Sequence, residues 1–288
     1  MAKVREIRRR IRSIEKTRQI TKTMEMVATS KLKRATDRLH ATQPYAEALA
    51  ALVGRLAAEP ELAERIPLLR RPTETRTAAV LLLTSNRGLA GAFNANLVRE
   101  ARTLLERLRT RGTRVELHVV GRKGINFFRF RREPLASART DIGDRPTLEQ
   151  AASLADPLAH AFRAGTLDAV YVVYAQFRSA LSTPAAVFRL LPLELPERDR
   201  RAMATTLLSP PAEEILARTL PLYLRDRVYR ALVETAAAEQ GARRTAMKNA
   251  SDNAGEMLEA LRRRYNRERQ AAITQEIAEI VSGAAALE

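Results

Sequence analysis

The stretch TSNRGLAGAFN, residues 84–94, carries the residue types that most readily bind an anion. Gly88 and Gly91 separate a strand-like run from a helix-like one, and the N–H groups at a helix N-terminus can bind a phosphate or a carboxylate. Glycine also serves a turn that only needs unusual backbone angles, and the full G-x-G-x-x-G spacing is missing. We therefore expect a structural strand-to-helix turn here.

No other stretch has the residues of an active site. The sequence contains no G-x-x-x-x-G-K-[ST] phosphate loop, no G-x-S-x-G motif and no H-E-x-x-H pair. The histidines His40, His118 and His160 are scattered, and His118 lies in a strand pattern where a core or edge role is expected. Cysteine is absent, which excludes disulfides, thiolate zinc sites and cysteine nucleophiles. The sequence predicts no catalytic residue, no metal site and no cofactor.

The composition is that of a soluble globular protein with an unusually high positive charge. Of the 288 residues 45% are hydrophobic and 29% charged, and no apolar run approaches the ~18 residues of a membrane span. The net charge is +17, and residues 1–40 hold thirteen Lys and Arg against four Asp and Glu. Such a surplus favours nucleic acid, an anionic membrane surface or an acidic protein as partner.

The first 58 residues predict one long helix. Its apolar residues fall at alternating three- and four-residue steps, the seam of a coiled coil, at Val4, Ile7, Ile11 and Ile14. We expect this phase to slip towards Ile20 and to resume with Met24 and Val27, and we expect Pro44 to kink the helix or mark a break. Glu6 and Glu15 interrupt the arginine-rich start, which argues against a transit peptide.

The middle of the chain predicts alternating strands and helices. Strand-like runs lie at 78–84, 115–121, 168–177 and 185–193, and helix-like stretches lie at 92–109, 124–132 and 147–164. A second long helix is expected over 212–286, with Pro221 near its start. The sequence therefore predicts an α/β fold: a central Rossmann-like domain inserted between two long terminal helices that form an antiparallel coiled coil. The expected domains are residues 1–58, 59–208 and 209–288.

The lengths of the two helices predict an overhang. At 1.5 Å per residue the second helix exceeds the first by roughly 30 Å, so we expect it to be unpaired from Tyr265 on. The alanine-rich stretch 242–254 is expected opposite residues 11–26. The overhang carries an apolar stripe that partner proteins are expected to bury, made of Ile273, Ile277, Ile280, Ala284 and Leu287.

Four motifs give the chain a resemblance to the γ subunits of F-type ATP synthases over nearly its whole length. They are RRRIRSIEKTRQITKTMEMVATSKL, TSNRGLAGAFN, YAQFRSALSTPAAVFRLLPL and YNRERQAAITQEIAEIVSGAAAL. The last motif is highly specific. The chain departs from the family pattern at Asn86, where aspartate is usual, and at 243–247, where an arginine replaces a common methionine. A third departure, at 206–210, leaves the contacts of the foot with the c ring open.

The resemblance implies a rotor without catalytic activity of its own. Family members form the single-copy central stalk that turns inside the α3β3 ring, and their foot, with the ε subunit, sits on the membrane ring of c subunits. Rotation couples ion flow through the membrane to ATP synthesis or hydrolysis at the β subunits. The implied location is the cytoplasmic face of a bacterial plasma membrane, and no specific nucleic acid partner is implied.

The resemblance also implies contact residues. Arg269 and Gln270 correspond to polar positions where the stalk catches on the β subunits, and Thr274 and Glu276 belong to the same motif. Met24 corresponds to a position beside the acidic lever segment of β, with Lys22 and Lys31 as nearby cations. At each position a solvated helix face is the alternative, because polar contacts at the rim of an interface often contribute little.

Two other classes of protein fit parts of the sequence. The basic first helix and the pI of about 11.0 suggest a nucleic-acid-binding coiled coil, but aromatic residues are not interleaved with its cations. The α/β segment suggests a nucleotide-binding enzyme, but the phosphate loop is missing.

Overall fold

The computed structural model describes residues 2–56, 65–193 and 211–285. The chain forms two compact units. Met1–Ala28 and Arg243–Glu288 make one, here called the helix-pair unit, and Thr29–Ala242 make the other, here called the sheet unit.

Two long helices run at the ends of the chain, as predicted. Helix α1 spans Ala2–Leu56 and helix α5 spans Ala212–Ala285. The break considered at Pro44 is absent, because α1 continues through that residue. Proline weakens a helix by removing one N–H donor and crowding the preceding turn, but the next turns are anchored in the sheet unit by buried Ala46, Leu49 and Val53.

The sheet unit contains five strands in the order β3-β2-β1-β4-β5. They are β1 (Thr77–Leu83), β2 (Arg114–Val120), β3 (Ser137–Arg139), β4 (Ala169–Ala175) and β5 (Ala185–Leu191). The first four are mutually parallel, and β5 runs antiparallel to β4. The predicted strands are all present. The pattern did not predict β3, because a three-residue Ser-Ala-Arg strand has no apolar alternation.

Helices cover both faces of this sheet. Helices α2 (Phe93–Thr110) and α3 (Arg122–Phe130) pack on one face, and α4 (Leu148–Arg163) packs on the other. Strand β1 shows the alternation, since Val80 and Leu82 point to the α2 side and Leu81 and Leu83 to the α4 side. Parts of α1 and α5 complete the α4 side, with buried residues Leu49, Val53, Leu56, Leu216, Leu220 and Val228.

In the helix-pair unit, α1 and α5 run antiparallel. Nζ of Lys3 lies 2.9 Å from Oε1 of Glu268, and Nη2 of Arg262 lies 2.7 Å from Oε1 of Glu15. The Arg18 guanidinium packs against Gly255. The order of the partners along α5 is the reverse of their order along α1, as a coiled coil between terminal helices requires.

The contacts correct the predicted register. Arg18 lies against Gly255 and Glu15 against Arg262, so the stretch of α5 opposite residues 11–26 is shifted towards the C-terminal end relative to the expected 242–254. The overhang expected from Tyr265 begins only after Glu268, which still pairs with Lys3. The lengths of two paired helices do not determine how far one is shifted along the other, and an error of a turn or more is possible. The side-chain contacts determine this shift.

The predicted phase slip in α1 is also wrong. Its inward positions continue through Arg18, Thr21, Met24 and Ala28 at three- and four-residue steps. Thr21 and Ala28 are buried and Met24 is half-buried, while Ile20 and Val27 are more than half exposed. The Thr21 hydroxyl donates to the Arg18 carbonyl oxygen at 3.0 Å, so its polar atom is satisfied. Thr21 and Ala28, two small residues, therefore occupy seam positions where Ile20 and Val27 were expected, while the half-buried Met24 agrees with the expectation.

Candidate partner-binding surfaces

The 84–94 turn is bonded to its neighbours rather than open to a ligand. The Thr84 hydroxyl donates to the Val120 carbonyl at 2.8 Å and accepts from the Gly124 N–H at 3.0 Å. A Cβ on Gly124 would come within 2.8 Å of that hydroxyl, so the packing requires glycine there. These contacts agree with the structural turn expected from the sequence.

Asn86 ties the same turn to two loops. Its Nδ2 donates to the carbonyl oxygens of Thr140 and Ile142, both at 2.9 Å, and its Oδ1 accepts from the Arg122 N–H at 3.0 Å. A carboxylate at this position would have no hydrogen to donate to the two carbonyls. The two hydrogen bonds that the Asn86 amide donates therefore explain why asparagine stands here instead of the family's usual aspartate. The departure noted at 206–210 lies outside the described residues.

His118 has the structural role expected for it, on β2 beside the edge strand β3. Its Nδ1 lies 2.8 Å from the Ser137 hydroxyl of edge strand β3. Burial lowers the pKa of His118, and the nearby Glu116 carboxylate opposes this only in part. A neutral imidazole that is hydrogen-bonded to Ser137 supports the pairing of β2 with β3.

The predicted catch residues on α5 are exposed to solvent. The side chains of Arg269, Gln270 and Glu276 form no hydrogen bond or ion pair within the described chain, and the Thr274 hydroxyl donates to the Gln270 carbonyl at 3.0 Å. These four polar residues thus share a helix segment that no part of its own unit covers.

The predicted contacts on α1 are less uniform. The Lys22 ammonium lies 3.2 Å from the Glu25 carboxylate of its own helix, and Met24 is half-buried. Lys31 lies in the sheet unit, where its Nζ is 2.6 Å from Oδ2 of Asp144. The hydrogen bond from Lys31 is the largest cause that lowers the pKa of Asp144.

The apolar stripe at the end of α5 is exposed. Ile273, Ile277 and Ile280 have 48%, 57% and 72% of their surface exposed. Val281, which the sequence analysis missed because it directly follows Ile280, is 62% exposed. The side chain of Ala284 and all of Leu287 lie outside the described residues. Four large apolar side chains within nine residues of one helix form an exposed apolar surface of the kind that is typical of protein-protein interaction sites.

Each unit also has a polar groove. In the helix-pair unit a groove of about 470 Å³ is lined by Glu15, Arg18, Gln19, Lys22, Thr23, Met26, Ser251, Asp252, Leu258 and Arg262. In the sheet unit a groove of about 330 Å³ is lined mainly by cations, with Lys31, Arg34, Arg38 and Arg145 beside Asp37 and Asp144. Both suit contact with charged protein surfaces better than they suit a small apolar ligand.

Neither a metal centre nor a membrane span appears in the parts of the chain that the structure describes. No cluster of three His, Asp or Glu side chains suited to a metal ion occurs within residues 2–56, 65–193 and 211–285. Within the same ranges, every helix is too polar or too short in its apolar stretches to cross a lipid bilayer.

Known proteins resemble the chain from end to end. A family model described as ATP synthase matches residues 3–287. The ATP synthase gamma chain of Gemmatimonas aurantiaca is 57% identical over 290 residues, and that of Moorella thermoacetica is 45% identical over 289 residues, with 100% of both chains covered in each case.

Solved structures give the same result. A chain of the Tetrahymena thermophila mitochondrial ATP synthase central stalk and c-ring matches with a TM-score of 0.63 and 28% identity, over 81% of this chain and 99% of that one. A Euglena gracilis mitochondrial ATP synthase chain has a TM-score of 0.69 at 19% identity, over 99% of this chain and 95% of that one, and supports the fold alone. By sequence and by fold, the chain belongs to the ATP synthase gamma chain family.

Proposed function

We propose that the chain is the central rotor shaft of a rotary ATP synthase and couples ion flow through the membrane to ATP synthesis or hydrolysis. One observation carries this proposal: the end of α5 beyond Glu268 exposes an apolar stripe and, beside it, unpartnered polar side chains. A shaft tip that turns inside a ring needs both, because the apolar stripe fits a sleeve and the polar groups allow contacts that form and break.

We infer the partners from this assignment. The α3β3 ring would surround the end of α5, where the exposed isoleucines serve as a bearing. The residues that would contact the β subunits there are Arg269, Gln270, Thr274 and Glu276. Lys22 and Met24 would face the lever segment of β from α1. The ε subunit and the c ring would contact the foot of the rotor. The proposed functional division follows residues 1–58, 59–208 and 209–288.

We infer a peripheral location at the cytoplasmic face of a bacterial plasma membrane. The relatives from Gemmatimonas aurantiaca and Moorella thermoacetica are bacterial gamma chains that match this chain over its full length. The high positive charge suits a subunit that works against acidic surfaces of its partners.

The test is a double substitution, Arg269→Ala with Gln270→Ala, in the complete ATP synthase reconstituted into vesicles. We expect ATP synthesis driven by an ion gradient to fall about tenfold, the scale of one hydrogen bond to a charged group, while the complex still assembles. Arg263→Ala with Asn266→Ala, two exposed polar residues within the paired segment of α5, is the matched control. A normal rate of synthesis in the Arg269/Gln270 variant would refute the catch assignment.

A further inference from the structure

A second exposed surface lies in the sheet unit, at the edge where the parallel strands begin. Helices α2 and α3 both end there, and the Arg109 guanidinium forms an ion pair with Glu133 that joins the two ends. Residues 107–114 and 129–133 contain seven arginines and one acidic residue, which is Glu133 itself. The other six arginines make no ion pair within the described chain; they form the arginine patch, as we call it, which consists of Arg107, Arg111, Arg114, Arg129, Arg131 and Arg132.

A large aromatic side chain stands exposed within this arginine patch. Phe130 has 87% of its surface exposed, although its neighbour Phe128 is buried in the core. Arginines in the last turn of a helix are commonly explained by the negative end of the helix dipole. That explanation accounts for the charges but gives no reason for an exposed phenylalanine between two of them.

The end of α3 also holds an arginine where glycine is favoured. In the cap of α2, Gly112 has a φ of 79°, and in the cap of α4, Gly165 has a φ of 76°. In the cap of α3 the corresponding residue is Arg132, with a φ of 56°. All three caps have the same hydrogen bonds, in α3 from the Arg132 N–H to Arg129 and from the Glu133 N–H to Phe128.

The comparison of the three caps points to a ligand. A left-handed φ strains any residue with a Cβ, so glycine would fit the α3 cap with less strain. The chain instead keeps a cation there, beside Phe130 and two further exposed arginines. Residues held in strained backbone conformations cluster at binding sites.

We propose that the arginine patch and Phe130 bind the surface of an anionic lipid bilayer. Clustered arginines attract anionic headgroups, and an aromatic side chain among them can enter the boundary between headgroups and acyl chains. One exposed aromatic residue is too few for a stacking platform for single-stranded nucleic acid. The membrane as occupant rests on the proposed function, since a rotor that contacts a c ring works beside a bilayer.

The test uses the purified full-length chain, which has no tryptophan of its own. Phe130→Trp places a single fluorescent reporter in the patch, and Leu181→Trp places one at an equally exposed position, 87%, elsewhere in the sheet unit. On phosphatidylcholine vesicles that contain phosphatidylglycerol, we expect the emission of the Phe130→Trp variant to shift to shorter wavelength and to be quenched by brominated lipids. The emission of the Leu181→Trp variant should not change, and vesicles of phosphatidylcholine alone should affect neither variant.

Charge variants test the arginines separately. Arg129→Gln with Arg131→Gln should weaken binding to the anionic vesicles roughly 25-fold, about fivefold for each arginine at a charged surface. Arg87→Gln with Arg122→Gln, two exposed arginines at the other end of the strands, removes the same charge from the sheet unit elsewhere and should change binding little. Arg132→Gly should weaken vesicle binding about fivefold without lowering thermal stability, because glycine relieves the strained cap.

Three results would overturn the proposal. The first is an unchanged emission of the Phe130→Trp variant on anionic vesicles, and the second is an equal loss of binding in the Arg87/Arg122 variant. The third is tight binding of a homopolymeric RNA that is lost on Phe130→Ser and displaces the vesicles. The last result would assign the patch to nucleic acid. Because this test uses the isolated chain and the rotor test uses the assembled complex, either proposal can fail without the other.

Discussion

In the sheet unit, helices bury both faces of the sheet, and residues such as Val80, Leu82 and Phe162 have none of their surface exposed. In the helix-pair unit, several inward positions are filled by small residues, among them Thr21, Ser251 and Ala254, and the largest apolar residues at the end of α5 face outward. The sheet unit therefore contains its own core. The helix-pair unit buries little apolar surface per turn, so we infer that it depends on partners for part of its stability.

The largest loss of stability is expected from a cavity in the core of the sheet unit. Phe162→Ala removes a fully buried ring over which the Arg70 guanidinium stacks at 4.3 Å. We expect the free energy of unfolding to fall by about 3–5 kcal/mol, measured by denaturant unfolding of the isolated chain. Ile277→Ala, at a position 57% exposed, should change it by less than about 0.5 kcal/mol. A large loss on Ile277→Ala would show that the stripe is already covered within this chain.

The second-largest loss of stability is expected from a larger side chain between α1 and α5 in the helix-pair unit. Ala254→Leu forces a larger side chain between two closely packed helices, and Ala254 is only 6% exposed. We expect the variant to lose about 1–3 kcal/mol, followed by circular dichroism during thermal unfolding. Ala260→Leu, on the exposed side of α5, is the control and should be neutral. If the seam accepts leucine without cost, the helices are not closely packed there.

A smaller effect is expected from buried carboxyl groups on α5 in the sheet unit. Burial is the main cause that raises the pKa of Asp226 above its ordinary 3.8 and that of Glu234 above its ordinary 4.5. The positive charges of Arg227 and Arg230 oppose both shifts only in part. The folded chain therefore binds these protons more tightly than the unfolded chain, and the free energy of unfolding decreases as pH rises from the ordinary values through the raised ones.

Asp226→Asn removes one of these titrating groups. Above that pH range we expect the variant to be more stable than the parent chain, and at acid pH the difference should vanish, as measured by melting temperature across a pH series. Asp37→Asn, at an exposed position, should leave the pH profile unchanged. A variant less stable than the parent chain at neutral pH would show that the Asp226 carboxylate is needed in its charged form.

The register of α1 against α5 can be tested by cross-linking, with variants that are not expected to change stability. The chain has no cysteine, so Arg18→Cys with Gly255→Cys should react with a short bifunctional maleimide to give one intramolecular product. Ile14→Cys with Asp252→Cys, a pairing expected from helix lengths, should cross-link poorly, because Glu15 lies against Arg262. Efficient cross-linking of the second pair alone would restore the register inferred from the sequence.

The contrast between the sheet unit and the helix-pair unit also explains which parts of the fold the sequence could predict. The strands were recognisable because buried parallel strands such as β1 are continuous apolar runs, and the long helices were recognisable from their heptad spacing. Thr21 was missed as a seam residue because a threonine in a polar stretch carries no apolar signal. The Lys31–Asp144 contact joins residues 113 positions apart, and no local pattern contains that information.

The functional residues divide in a similar way. The exposed isoleucines of α5 follow from helix periodicity alone. The catch residues came only from the family motif, and they remain a prediction. The arginine patch was invisible in the sequence because its two halves are about twenty residues apart, and the fold brings them together through Arg109 and Glu133.

Residues 273–282 of α5 are all exposed, and this matters before any partner is present. Helix ends open by local unfolding at little cost, and an opened segment is a substrate for cellular proteases. A copy of the chain without partners would therefore be trimmed from this end, whereas a copy whose stripe is covered would be protected. Degradation of unassembled copies would then keep the amount of this subunit matched to that of its partners, without any dedicated regulator.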